Sequence, residues 1–165
     1  MFVIINLDFL IFTQIKKMPK SIIAGIGHYV PENIVTNDDL SKLMTTNDEW
    51  ITERTGIKER RHRKNRNDST ETTAFLGFKA AENALKKASI AAKDVDFIIF
   101  ATLRQDYFFP GCGVLVQEML GCDTIGALDV RNQCSGFVYA MSVANAFIKS
   151  GEYKNILVIG AEVHS

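Results

Sequence analysis

A chain of 165 residues, 47% of them hydrophobic, is long enough for one domain with a single sizeable core. Nineteen Lys and Arg balance nineteen Asp and Glu, so no global field draws the protein to nucleic acid or to an anionic membrane, and any electrostatic preference has to be local. Three cysteines, Cys112, Cys122 and Cys134, lie ten and twelve residues apart, which matches neither a disulfide framework nor a C-x-x-C metal site and indicates a reducing, cytoplasmic setting without a metal centre.

The first fifteen residues are mostly apolar, and Lys16 and Lys17 follow them. A secretory signal carries its charge ahead of the apolar run, and a membrane span needs about 20 apolar residues without an Asn6 or Asp8 among them. Residues 1–17 are therefore expected to be a non-structural extension, with Met18 a candidate start and the folded domain at 18–165.

Ile22 to Gly27 reads as a strand, closed by the Gly25, Gly27 and Pro31 punctuation. Thr36-Asn37-Asp38-Asp39 offers an N-cap and first-turn acids for a short helix through Met44. Thr46 with Glu49 three residues on makes a capping box for a second helix, and Gly56 stands at its C-terminal stop. Trp50 and Arg54, four apart, share one face of that helix.

Six of the nine residues from Lys58 to Arg66 are Lys or Arg. A solvated loop and a phosphate-binding rim both fit such a run; the neighbouring Trp50 suits the second, since an aromatic face with guanidinium neighbours can hold an adenine. No RNP, helix-turn-helix or zinc-finger pattern points to nucleic-acid reading.

Ser69 and Thr70 precede a longer helix whose Ala74, Phe78, Ala81, Leu85 and Ala88 form a core stripe. Val95 to Ala101 is a continuous apolar run, the mark of a strand covered on both faces. Phe109-Pro110-Gly111 turns the chain into a helix from Cys112 to Leu120, stopped by Gly121. Ile125 to Val130 then feeds through Arg131-Asn132-Gln133 into Cys134, behind which Phe137, Met141, Ala144 and Ile148 recur at helical spacing up to Gly151. Ile156 to Ala161 is a last buried strand. Strands alternating with helices give an α/β fold with a mostly parallel sheet and helices on both faces. Gly25-Ile26-Gly27 lacks the third glycine of a dinucleotide fingerprint.

The strand, turn, cysteine, helix order at Cys134 is that of a nucleophile elbow, which lifts a side chain clear of the sheet and sets it at a helix start rich in unpaired N–H donors. A thiol there is expected to ionise readily. A buried structural cysteine fits the same local pattern.

From Ser21 to Ser165 the motifs together resemble the N-terminal half of a β-ketoacyl-acyl carrier protein synthase III, of the thiolase superfamily. The resemblance rests on Gly25-Ile26-Gly27 with Pro31-Glu32, Thr46-Asn47-Asp48-Glu49-Trp50-Ile51, Arg54-Thr55-Gly56-Ile57-Lys58-Glu59-Arg60, Phe109-Pro110 and Cys134-Ser135-Gly136-Phe137. It implies a thiolase-like fold and an acyltransferase of fatty acid biosynthesis without a permanent cofactor. In such enzymes the elbow cysteine takes an acyl group from acyl-CoA and passes it to the carbanion formed by decarboxylation of malonyl-acyl carrier protein. It assigns that role to Cys134, puts Trp50 and Arg54 at the adenine end of coenzyme A with Thr46 bordering the pocket, and makes Phe109 the residue that enters the partner subunit's acyl pocket in a homodimer. The Arg131-Asn132-Gln133 turn is bulkier than in the best-known members. The family's catalytic His and Asn lie in the second half, so a chain ending at Ser165 is expected to acylate itself at most. None of His28, His62 and His164 is expected to pair with Cys134, and an apolar face is expected to stay uncovered. The alternatives are a thiolase-superfamily synthase of a secondary pathway and a non-catalytic remnant that binds acyl carrier protein or dimerises.

Overall fold

The computed structural model describes residues 20–64 and 70–164; the extension expected at 1–17 lies outside them, as do Arg66 and Ser69. Its elements run β1 (Ile34–Thr36), α1 (Asn37–Ser41), α2 (Asp48–Thr55), β2 (Glu59–Arg61), α3 (Thr73–Ala88), a 3₁₀ turn (Ala92–Asp94), β3 (Phe97–Ala101), α4 (Cys112–Leu120), β4 (Gly126–Val130), α5 (Gly136–Ser150) and β5 (Ile156–Gly160).

The core is a three-stranded parallel sheet in the order β4-β3-β5, with Ile99 opposite Leu128 on one side and Val158 on the other. Because side chains alternate along a strand, β3 feeds two cores. Ile98 and Phe100 pack with Ala74 and Ala81 of α3 and Val116 of α4, while Ile99 and Ala101 pack with Ala140 and Ala144 of α5. This is the α/β layering expected, with helices on both faces. Each large side chain so buried contributes about 1.5–3 kcal/mol. Gly77 lets α3 lie directly on the sheet: a Cβ there would fall 2.6 Å from Phe100 Cε2.

Four readings change. Residues 22–27 form no strand, having no ladder partner among the described residues; Ile22 is 82% exposed. Gly25 and Gly27 serve a close backbone approach to α3 instead of a turn, since a Cβ on Gly25 would lie 2.5 Å from the Ala84 carbonyl oxygen. Thr46 does not cap α2; Asn47 does, its side chain accepting from the Trp50 N–H at 2.7 Å, and Thr46 Oγ1 is buried without a partner among the described residues. The cap of α3 is Thr72. The basic run is in part a strand, since β2 pairs antiparallel with β1 and sets Arg60 opposite Val35. The remaining punctuation stands: Gly56, Gly121 and Gly151 all end helices in the left-handed conformation that glycine adopts most easily.

Candidate active site

The elbow is built as the sequence order implies. β4 ends at Val130, a three-residue turn follows, and α5 begins at Gly136 with Ser135 as its N-cap. Asn132 Nδ2 donates to Ser135 Oγ at 3.1 Å, and the Gly136 N–H donates to the Gln133 carbonyl at 3.0 Å. Gln133 takes a positive φ of 22°, a conformation costly for a residue with a Cβ, by about 1–3 kcal/mol. The turn thereby aims Cys134 outward: it is exposed and lines a cavity of about 420 Å³ with Ala101, Thr102, Gln133, Phe137 and Glu162. The Cys134 N–H donates to no acceptor among the described residues.

Two carboxylates absent from the sequence reading tie backbone amides near the strand ends, and of the two Glu162 lines the cavity. Glu162, just past β5, accepts from Thr102 Oγ1 at 3.0 Å and from the N–H groups of Leu103 at 3.1 Å and Arg104 at 2.6 Å. Asp129, on the strand that leads into the elbow, accepts from the N–H groups of Cys112 at 2.7 Å and Gly113 at 2.8 Å, at the positive end of α4. A charged residue inside an apolar strand was the available signal for Asp129, since such residues are buried only with partners. The other thiols are withdrawn: burial pushes Cys112 up to about 11, and burial likewise raises Cys122.

Trp50 and Arg54 do meet, with the guanidinium carbon 4.7 Å from the indole ring centre and both side chains exposed. Neither they, nor Thr46, nor Phe109 line the Cys134 cavity. No histidine lines it either. His62 and His164 face a second cavity of about 330 Å³, and His28 is held through its carbonyl by Asn83. Among the described residues no cluster of side chains suits a metal ion, and no helix is long and apolar enough to cross a membrane.

Residues 128–165, the elbow onward, match the family model of 3-oxoacyl-[acyl-carrier-protein (ACP)] synthase III. A β-ketoacyl-[acyl-carrier-protein] synthase III of Clostridium novyi is 50% identical over 143 residues, covering 87% of this chain and 43% of the relative. The crystal structure of the Aquifex aeolicus 3-oxoacyl-[acyl-carrier-protein] synthase III superposes with a TM-score of 0.80 at 48% identity, over 85% of this chain and 44% of that one. Over the residues it spans, the chain is similar to the N-terminal half of β-ketoacyl-[acyl-carrier-protein] synthase III. It spans less than half the length of these synthases. A priming β-ketosynthase of a polyketide biosynthetic pathway superposes as well, with a TM-score of 0.82 at 28% identity, over 92% of this chain and 44% of that one. The fold is thiolase-like.

The Arg131-Asn132-Gln133 turn is structurally engaged. The Arg131 guanidinium carbon lies 5.3 Å from the Phe108 ring centre, and with the Gln105 amide assigned so that its oxygen faces Arg131, Arg131 Nη2 donates to that oxygen at 2.9 Å and the Gln105 nitrogen donates to the Leu103 carbonyl. Arg131 thus ties the elbow to the loop that carries Phe109, which is 85% exposed ahead of a cis bond to Pro110. As expected, large apolar side chains stay uncovered, Phe108, Val138 and Tyr139 among them.

Proposed function

We propose that this chain supplies the acyl-accepting part of a β-ketoacyl-acyl carrier protein synthase III. The Cys134 sulfur attacks the thioester carbon of acyl-CoA, the carbonyl oxygen takes the charge, and the carbon–sulfur bond to coenzyme A breaks. Coenzyme A leaves with the proton that Cys134 gave up. The observation that carries this reading is an exposed cysteine at a strand-to-helix turn, facing a cavity, with its own N–H uncommitted. That N–H is one donor for the oxyanion, and stabilisation of this kind is worth about 3–4 kcal/mol per donor in acyl-transfer enzymes.

Trp50 and Arg54 hold the adenine end of coenzyme A, with Thr46 beside them; their stacked, solvent-facing pair supports this. Phe109 belongs to the acyl pocket of a partner subunit in a homodimer, in keeping with its exposure. The carbanion donor is malonyl-acyl carrier protein, the pathway fatty acid biosynthesis, and the compartment the cytoplasm, in keeping with three unpaired cysteines. No histidine lines the Cys134 cavity, so we expect the 165-residue chain to acylate itself without completing the condensation.

The test is incubation with acetyl-CoA followed by intact-mass measurement and peptide mapping. One acetyl group on Cys134, absent in Cys134→Ala, is the expected result; acetylation that persists in Cys134→Ala refutes the assignment. Efficient ketoacyl product on adding malonyl-acyl carrier protein refutes the limit to self-acylation. A second reading, a synthase of a secondary pathway, is favoured by the Arg131–Phe108 contact beside the elbow and by the similarity to a priming β-ketosynthase. Acylation rates across acyl chain lengths separate the two, a preference for acetyl marking the first.

A further inference from the structure

The second cavity, of about 330 Å³, is lined by Arg60, Arg61, His62, Arg63 and His164 and shares one wall, Glu162, with the Cys134 cavity. Its cationic character follows from the strand that builds it. β2 pairs antiparallel with β1, and its alternation turns Arg60 inward between the exposed Glu59 and Arg61. Arg60 Nη1 is cut off from solvent and has no hydrogen-bond acceptor among the described residues. A sequestered guanidinium N–H without an acceptor is among the costliest groups a fold can hold.

The carboxylates nearby do not relieve it. Glu162 is committed to Thr102, Leu103 and Arg104, and Glu59 lies 3.6 Å from Arg61, which also donates to the carbonyls of Pro31 and Glu32. The cleft therefore gathers arginines around one donor that no described residue meets. A ligand that relieves it has to bring acceptor oxygens and negative charge in compact form, and guanidinium groups match phosphate oxygens in both geometry and charge.

We propose that this cleft binds a phosphate group, either the free ion or a phosphate monoester, with Arg60 as its central donor. The site is separate from the acyl chemistry at Cys134. The experiment is calorimetric titration of the 165-residue chain with inorganic phosphate at fixed ionic strength, with AMP as a competing monoester. One saturable site is expected, weakened tenfold or more in Arg60→Gln, less in Arg61→Gln at the rim, and unchanged in Cys134→Ala. Displacement of phosphate by AMP identifies a monoester as the ligand, and its absence identifies the free ion. Should Arg60→Gln fail to fold, Arg60→Lys keeps the charge and loses the planar fork, and a drop in affinity of severalfold is expected there. Equal affinity in the parent and the Arg60 variants, or binding that chloride abolishes at the same ionic strength, overturns the proposal.

Discussion

Removing the Asp129 carboxylate should be among the most damaging single changes outside the hydrophobic core. Its two oxygens accept from Cys112 N and Gly113 N at 2.7 and 2.8 Å, and both donors lie in the first turn of α4, whose N-cap residue, Gly111, has no side chain to cap it. Hydrogen bonds to a charged acceptor contribute about 1.5–3 kcal/mol each, so Asp129→Ala should cost about 3–6 kcal/mol. The lost complement to the helix dipole adds about 0.3–1 kcal/mol. Asp129→Asn keeps one acceptor but turns an amide NH₂ toward the second N–H, and should cost about 2–4 kcal/mol. The fit is tight on the helix side as well, since a Cβ on Gly111, whose φ is 108°, would come within 2.7 Å of Asp129 Oδ2. Gly111→Ala should therefore be damaging through the same contact. Urea unfolding followed by circular dichroism measures this, with an unchanged m-value showing that only stability moved. In a chain of this length a loss of that size lowers the melting temperature by about 6–24 °C. A loss below about 1 kcal/mol in Asp129→Ala would show that water or neighbouring groups satisfy the two amides and would sink the account.

Gly77→Ala should cost about 1–3 kcal/mol, because the new methyl meets the ring of Phe100 and one of the two must shift; an unchanged unfolding midpoint would show that α3 can lift from the sheet freely. With iodoacetamide at neutral pH the native chain should label at Cys134 and leave the fully buried Cys112 intact. Burial holds the Cys112 proton in the folded state, so its contribution to stability is complete below the ordinary thiol value of 9.0 and is lost as pH rises through about 11. A stability that rises across that window contradicts the burial. If the stacked pair holds an adenine, Arg54→Ala should raise the acetyl-CoA concentration for half-maximal acylation about 2- to 30-fold, the span of a cation–π contact, and leave the unfolding midpoint in place; an unchanged concentration dependence removes the pair from the site.

How far the sequence could be read depended on whether the deciding contact was local. α4 was legible at both ends because Pro110-Gly111 and Gly121 bracket its residues, and β3 because an apolar run of its length has few other fates. The cap of α2 was misplaced by one residue. Thr46 and Asn47 are both good capping types, and only the backbone placed the Asn47 oxygen on the Trp50 N–H. Residues 22–27 have a strand's composition, yet a strand exists only with a ladder, and pairing is non-local. At the site, Cys134 was visible through the change from strand to helical periodicity around it. Glu162 was not, because its importance lies in which amides face it, and those belong to residues about sixty positions earlier in the chain.

The carboxylates missed in this way share a logic that explains the site's position. In open α/β sheets the loops leaving the C-terminal ends of the parallel strands form the crevice in which ligands bind. Here the loops after β3, β4 and β5 converge at that end: Thr102, Cys134 and Glu162 line one cavity. Apolar packing cannot fix loops so exposed, and charge-assisted bonds to pairs of backbone amides do it instead. Asp106 grips Thr73 and Ala74 at 2.7 and 2.8 Å, Asp129 grips the start of α4, and Glu162 grips the loop after β3. Asp129 lies within β4, Glu162 two residues past β5 and Asp106 in the loop after β3, and each reaches an amide pair on a different element, so loops and helix starts are tied to one another. The Cys134 elbow closes that frame without a carboxylate of its own, which leaves its N–H open to a ligand's oxygen.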